Sequence, residues 1–266
     1  MSEYSAAQPA PVGGTFSVGG VLKRSFSTFF ANFVSFNLLG LAAFVPGLLL
    51  VMLLFGATFF SLISYDAAAG GPPPDFGAVG FGSFAVVWVL MVSLQYFLTA
   101  VIVYGALSYL RGSRAGVAAC LMHGLRRIVP IVGIAVITTV LVSLGMILLI
   151  VPGIIIALMI CLAIPVLMVE NAGVVGSLQR SRALTKGYRW HLFGVFLLAF
   201  VITTIVNILV PMPFGLVLPD TAGTVVALLL QLFTTVFLAT VLAVAYHDLR
   251  VAKEGVSTAQ LAAVFD

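Results

Sequence analysis

The sequence predicts an all-α integral membrane protein with six transmembrane helices. Of its 266 residues, 62% are hydrophobic and 8% are charged, and the mean hydropathy is +1.24. A soluble domain carries about 25% charged residues, because a water-facing surface needs polar groups to cover it. The composition therefore excludes a soluble enzyme, a disordered chain and a nucleic-acid-binding domain, so no nucleic-acid partner is expected.

The two ends of the chain are predicted to be short tails around one membrane domain. Residues 1–15 are rich in Ser, Ala, Pro and Gly and are expected to be disordered. They lack the 7–15-residue apolar core of a cleavable signal peptide, so insertion should depend on the first membrane span. Residues 16–250 form the predicted six-span domain, and residues 251–266 a short cytoplasmic tail.

Six stretches are apolar and long enough to cross a bilayer, which takes about 20 residues. They are 33–63, 84–110, 128–149, 151–169, 192–210 and 221–246. Pro152 and Gly153 separate the third from the fourth and predict a tight helical hairpin. The first stretch would be about 46 Å long as a helix, against a hydrocarbon core of about 30 Å. We interpret it as one helix tilted or kinked at Pro46-Gly47, with a re-entrant arrangement as the alternative.

The basic residues give an independent check on this arrangement. All twelve lysines and arginines fall on one side of a six-span chain whose two termini share that side. The connections on the other side carry Asp66, Asp75 and Asp220. Because lysine and arginine are retained in the cytoplasm during insertion, both termini are expected to be cytoplasmic.

Basic amphipathic segments precede spans one, three and five, a pattern typical of helices in the membrane interface. The first has apolar residues at helical spacing: Phe16, Val18, Leu22, Phe26, Phe29 and Phe33. The second has Val117, Leu121, Leu125 and Ile128 beside Arg114, Arg126 and Arg127. The third has a weaker stripe of Val174, Leu178, Ser181 and Thr185. In that third segment Arg182, Lys186 and Arg189 are expected to form a basic face at i, i+4 and i+7.

Short internal similarities suggest a repeated unit of one amphipathic helix and two spans. Residues 22–25 (LKRS) are similar to 178–181 (LQRS), and 45–48 (VPGL) to 151–154 (VPGI). Transporters are often built from such repeats, and so are membrane scaffolds.

Several motifs resemble those of a known bacterial family. They are the run from Pro165 to Glu170, then Ser181, Lys186-Gly187 and Trp190, together with residues 16–20 and 246–250. Over residues 16–255 they resemble the membrane domain found with some glycerophosphoryl diester phosphodiesterases and with related six-span proteins. The resemblance implies a bacterial inner-membrane protein linked to envelope lipids. Only 20 residues follow the last predicted span, so the hydrolytic domain and its activity are not expected.

Polar residues at the span ends and centres supply the candidate site. Anionic headgroups attract nearby lysine and arginine, and the predicted headgroup-binding residues are Arg126, Arg127, Arg180, Arg182, Lys186 and Arg189. A structural ion pair is expected among Glu170, Asp248 and Arg250, in which Glu170 pairs with Arg180, Arg182 or Arg250. Gln95 and Gln231 near mid-depth are interpreted as helix–helix hydrogen-bonding groups, with a substrate path as the alternative.

Catalysis has weak support in the sequence. The histidines His123, His191 and His247 lack metal-ligand spacing, so neither a metal nor another cofactor is expected. His247-Asp248 suits an acid–base dyad, but neighbouring residues on a helix point about 100° apart. The leading hypothesis is a non-enzymatic protein that engages anionic phospholipid, with a protein partner or homo-oligomer left open. The alternatives are a carrier or flippase, and a membrane-embedded lipid-modifying enzyme that uses Glu170 and His247-Asp248.

Overall fold

The structure, a computed structural model, describes residues 16–63, 81–213 and 220–254. It is 90% helical and has no strands in these ranges. The helices are α1 (Val18–Ala31), α2 (Phe33–Ile63), α3 (Phe81–Leu110), α4 (Val117–Leu125), α5 (Ile128–Leu148), α6 (Ile150–Ile160), α7 (Ala163–Glu170), α8 (Gly173–Thr185), α9 (Arg189–Leu209) and α10 (Asp220–Glu254).

Five helical segments of the described ranges are long and apolar enough to cross a membrane. They are Ala85–Leu110, Ile128–Leu148, Ile150–Glu170, Arg189–Pro213 and Val226–Glu254. A sixth candidate combines α1 with the first half of α2, and the two are bent by 80° where they meet. The structure is therefore an all-α multi-pass membrane protein, as the composition predicts.

Helices α3 and α10 form the centre of the bundle. Helix α3 contacts α2, α5, α7 and α10, and its residues from Ala100 to Val103 are fully buried. On α10 the small side chains of Ala239 and Ala243 are buried, and small residues let membrane helices approach closely. Because α3 and α10 contact most of the other helices, they fix the positions of those helices in the bundle.

Helix α1 packs against the last helix of the chain. Its first turn is capped by Ser17, whose Oγ accepts a hydrogen bond from the Gly20 backbone nitrogen at 3.2 Å, as preferred at helix starts. The Phe29 ring lies 4.8 Å from that of Phe233 and 5.5 Å from that of Phe237, both edge-on. Edge-to-face aromatic pairs are favourable beyond the area they bury, so this cluster holds α1 on α10.

Helices α5 and α6 form the tight hairpin that the sequence predicts. The single residue Leu149, in extended backbone conformation, separates them. A Cβ atom added at Gly153 would lie 2.7 Å from the Met146 backbone nitrogen, and one at Gly145 would lie 2.9 Å from the Gly153 Cα. The hairpin closes this tightly only because both positions are glycine.

The predicted fourth span, residues 151–169, is broken within its length, whereas the sequence predicted one uninterrupted span. Helix α6 ends at Ile160 and α7 begins at Ala163. Pro165 lacks the N–H that would bind the Cys161 carbonyl, and its ring crowds that carbonyl. Ser181 of α8 binds two other backbone groups at the break: it accepts from the Leu162 nitrogen at 3.1 Å and donates to the Met159 carbonyl at 2.9 Å.

The predicted basic face of Arg182, Lys186 and Arg189 does not form as expected. Helix α8 ends at Thr185, Lys186 is extended, and Gly187 has a φ of 90°, which favours glycine. Arg189 therefore belongs to α9. The buried side of α8 holds Ser177, Ser181, Leu184 and Thr185, so this helix packs on protein through small polar side chains.

The predicted tails lie mostly beyond the described residues. Residues 1–15 and 255–266 are outside them, as are Asp66 and Asp75 of the predicted outer loop. Helix α10 continues to Glu254, past the boundary expected at residue 250.

Candidate functional site

The charged ends of the helices meet at one end of the bundle, here called the basic end. Arg24 of α1 reaches Asp248 of α10, and Arg180 of α8 reaches Glu254 of α10. The Arg127 guanidinium, just before α5, donates to the Leu167 carbonyl of α7. Helix α4 packs on α3. The basic end thus gathers the segments that carry Lys23, Arg24, Arg111, Arg114, Arg126, Arg127, Arg180, Arg182, Lys186, Arg189, Arg250 and Lys253.

A carboxylate network of Glu170, Arg180, Tyr246, Arg250 and Glu254 joins α7, α8 and α10. Arg180 Nε lies 2.9 Å from Glu170 Oε2, and another Arg180 nitrogen binds Glu254. Tyr246 Oη donates to Glu170 Oε1 at 2.8 Å, and Arg250 Nε lies 2.9 Å from Glu254 Oε2. The carboxylates raise the pKa of the partly buried Arg180 guanidinium, although burial opposes this. Arg180 is therefore a fixed structural cation.

Asp248 lies outside this network and has its own partners. Its side chain is 6% exposed and its Oδ1 lies 2.9 Å from Arg24 Nη1. His247 Nδ1 lies 3.3 Å from the same oxygen. The sequence predicted a structural ion pair among Glu170, Asp248 and Arg250, but the partner of Asp248 in the structure is Arg24, which lies outside that predicted set.

The C-terminal carbonyls of α7 are held by α4 and the start of α5. His123 Nε2 lies 3.3 Å from the Met168 carbonyl oxygen, beside the Arg127 contact with Leu167. The His123 ring stacks on Tyr104 with centroids 4.0 Å apart. Burial lowers the pKa of His123, as do Arg127 and Arg126 nearby, while the hydrogen bond to Met168 opposes the shift. These effects favour the neutral form of the imidazole.

The six predicted headgroup-binding residues divide into two groups. Arg180 is fixed by carboxylates and Arg127 by a backbone carbonyl. Arg126, Arg182 and Lys186 are exposed, and within the described ranges no carboxylate comes within 4.0 Å of their nitrogens. Arg189 is intermediate, and its buried Nε makes no hydrogen bond to described residues.

A cavity of about 380 Å³, here called the hydroxyl cavity, opens between α3, α5 and α6. Its polar lining is Tyr96, Thr138, Thr139, Ser143 and Cys161. Gln95 and Gln231 do not line it, and both side chains are exposed. The substrate path proposed for these glutamines therefore stays a prediction.

The residues of the enzyme hypothesis do not share one side of α10. The residue of α10 that contacts Glu170 is Tyr246. Asp248 follows Tyr246 by two residues, so the two side chains point about 200° apart around the helix axis. In the described part of the chain, no three His, Cys, Asp or Glu side chains are placed to hold a metal ion. Glu170 and Asp248 are each occupied by an arginine instead.

Sequence reasoning missed Tyr246, Glu254 and Arg24 as members of these clusters. The Arg250–Glu254 pair has i, i+4 spacing, which is the spacing of an ion pair along one helix and is visible in the sequence. The contacts of Tyr246 and Arg24 join residues 76 and 224 positions apart, which only the packing of the helices reveals.

The fold and the charged end define an all-α multi-pass membrane protein with a strongly basic end. The sequence matches no family profile, no curated protein and no solved structure. The resemblance to the membrane domain of glycerophosphoryl diester phosphodiesterases stays a prediction.

Proposed function

We propose that the protein binds anionic phospholipid headgroups at its basic end, on the cytoplasmic side of a bacterial inner membrane. The observation that carries this proposal is the set of exposed cations on Arg126, Arg182 and Lys186 without carboxylate partners in the described structure. A role in envelope lipid homeostasis rests on the sequence resemblance alone.

The charge balance of this end favours an anionic ligand. It carries all twelve basic residues, whereas its described carboxylates are Glu170, Asp248 and Glu254, each already paired with an arginine. Anionic lipids attract each nearby Lys or Arg by about 1 kcal/mol. The internal pairs leave the exposed cations available to phosphate.

The surface around these cations suits the boundary between headgroups and acyl chains. Met122 and Leu125 next to Arg126 are 52% and 51% exposed, and Trp190 close to Lys186 is 75% exposed. Exposed tryptophan is typical of membrane interfaces, and apolar side chains beside lysine or arginine are typical of interfacial helices. A headgroup bound by the cations would keep its acyl chains on these apolar residues.

Two neighbouring arginines on α8 provide a matched test. Arg182→Gln removes an exposed cation, and we expect co-purified anionic phospholipid, measured by quantitative lipid mass spectrometry, to fall about fivefold relative to zwitterionic lipid. Its thermal midpoint should stay unchanged, because no described partner is lost. Arg180→Gln removes the same charge from the carboxylate network, so it should lower the midpoint instead.

A triple variant with Arg126, Arg182 and Lys186 all changed to Gln sharpens the result. It should bind nanodisc-presented phosphatidylglycerol about 100-fold more weakly, if the three contributions add. Binding to phosphatidylcholine should remain low and unchanged. Unaltered anionic lipid content in a folded triple variant would refute the proposal, and leave these residues as determinants of topology only.

A further inference from the structure

The tip of the α5–α6 hairpin consists of exposed apolar side chains. The consecutive residues from Met146 to Val151 are between 39% and 80% exposed, and residues 144–160 contain only apolar side chains, glycine and proline. The other two connections predicted on this side of the membrane carry the aspartates Asp66, Asp75 and Asp220. The tip therefore lacks the polar residues that are typical of a loop in water.

The exposure extends around the whole tip and is not confined to one side of it. Neighbouring residues on a helix point about 100° apart, so the exposed side chains of Met146, Ile147 and Leu148 face three different directions. A protein partner would cover one side of the tip, whereas a fluid surrounds it. The tip also continues the exposed apolar side of α5, which includes Leu141 and Leu144. Acyl chains that contact this membrane helix would therefore extend onto the tip.

The base of the hairpin is held at the basic end, which limits how far the tip can reach. Arg127, directly before α5, binds the Leu167 carbonyl of α7, and its charge is costly in hydrocarbon. Helix α5 has 21 residues and is therefore about 31 Å long. The hydrocarbon core is about 30 Å thick, and the bilayer with its headgroups about 40–45 Å. With Arg127 in the headgroup layer, the tip stops short of the water on the far side.

The turn at the tip needs little water for its backbone. Leu149, the single residue between the two helices, donates its N–H to the Gly145 carbonyl at 3.1 Å, and its carbonyl accepts from the Gly153 nitrogen at 3.2 Å. Pro152, in the first turn of α6, has no N–H to satisfy. Because unpaired backbone groups are costly in hydrocarbon, these features suit a turn that is surrounded by acyl chains.

We propose that the tip of the α5–α6 hairpin binds the acyl chains of the distal leaflet, the one opposite the basic end, and does not reach water. The hairpin then enters the bilayer from the basic end and turns back within the hydrocarbon core, so no outer loop joins its two arms. This inference is independent of the headgroup binding proposed above, since it involves none of the exposed cations Arg126, Arg182 and Lys186.

The test places the fluorophore bimane on Leu149→Cys in the full chain without Cys120 and Cys161, reconstituted in phosphatidylcholine vesicles. Lipid with a nitroxide on its acyl chains should quench this label strongly. Aqueous iodide, present on both sides of the membrane, should quench it about tenfold less than a label on Ser113→Cys, because water is absent from the hydrocarbon core. Ser113 is the matched control, since it is exposed in the connection between α3 and α4 at the basic end.

Two results would overturn the proposal. Quenching of the Leu149→Cys label by iodide to the same extent as at Ser113→Cys would place the tip in water. Quenching by neither reagent would mean that protein, such as a second copy of the chain, covers the tip. If Leu149→Cys fails to fold, Ile147→Cys gives the same readout, because Ile147 is 80% exposed in the last turn of α5.

Discussion

Arg24 Nη1 lies 2.9 Å from Asp248 Oδ1, so an ion pair joins α1 to the far end of α10. The two partners differ in environment: the Arg24 side chain is 43% exposed and that of Asp248 is 6% exposed. Water can therefore solvate the arginine if the pair is broken, but it cannot reach the carboxylate in the same way. The pair also fixes the position of α1 on α10 at the basic end.

This difference in exposure predicts unequal costs for the two halves of the pair. Arg24→Gln should lower the free energy of unfolding by about 2–3 kcal/mol, because it leaves a buried carboxylate without its cation. Asp248→Asn should cost about 1 kcal/mol or less, because Arg24 can turn to solvent. Denaturant unfolding in detergent micelles measures both values. Equal costs would mean that Asp248 is reached by water after all.

The candidate site was predictable in part. The concentration of lysine and arginine at one end followed from their positions between the spans, and Glu170 was expected to meet an arginine such as Arg180. The partner of Asp248 was not predictable, because Arg24 is 224 positions away and meets it only when α1 packs on α10.

The α5–α6 hairpin should be sensitive to any side chain at its crossing point. Gly153→Ala places a Cβ against the Met146 backbone, which cannot yield as a side chain can. We expect a loss of about 1–3 kcal/mol from overpacking, measured as a lowered thermal midpoint. The control is Gly19→Ala on α1, where a Cβ would meet no described atom within 4 Å, and it should be neutral or slightly stabilising.

Membrane orientation is the next prediction, and thiol labelling tests it. In a background without Cys120 and Cys161, Lys186→Cys should react with a membrane-impermeant maleimide in inverted vesicles and not in intact cells. Asp75→Cys, in the predicted outer loop outside the described residues, should behave in the opposite way. Labelling of Lys186→Cys in intact cells would invert the topology and remove the basic end from the cytoplasmic leaflet.

His123 should make stability depend on pH. Burial holds the pKa of the folded His123 below 6.5, so the unfolded chain binds the proton more readily. Stability should therefore fall as the pH drops through about 6.5 and on towards the folded pKa, and it should be constant above about pH 7.5. Arg126 and Arg127 disfavour the imidazolium further.

The matched variant for this titration is His123→Gln, which retains a donor for the Met168 carbonyl and does not titrate. The thermal midpoint of the wild type should fall more steeply between pH 7.5 and 5 than that of the variant. Parallel pH profiles for the two proteins would show that His123 is solvated in both of its protonation states.

Hydropathy predicted where the membrane helices lie, but it did not predict the points where single residues interrupt a helix. The bounds of α2 match the predicted first span, because an apolar stretch of this length has no alternative to a helix in lipid. The break between α6 and α7 was missed although Pro165 was present, since a proline in a membrane helix can also be accommodated by a simple kink. Helix α8 likewise ends at Thr185, just before Gly187, so Arg182, Lys186 and Arg189 do not share one helix as predicted.

The final prediction concerns the break between α6 and α7, where the Ser181 hydroxyl hydrogen-bonds two backbone groups. Ser181→Ala leaves the Leu162 N–H without its side-chain partner and the Met159 carbonyl with only the longer 3.4 Å contact from Thr185 Oγ1, at a cost of about 1–3 kcal/mol. Ser177→Ala is the control: Ser177 is as fully buried on the same face of α8, but its hydroxyl binds only the Gly173 carbonyl of its own helix. It should cost less than about 1 kcal/mol.

A double-mutant cycle with Pro165→Ala then identifies the cause of the break. Alanine restores the N–H that can bind the Cys161 carbonyl, which lets α6 and α7 form one regular helix. In that background the Leu162 and Met159 groups would find helical partners, so Ser181→Ala should lose most of its effect. A coupling energy above about 0.5 kcal/mol supports this, whereas strict additivity would mean that Ser181 stabilises α8 independently of the proline.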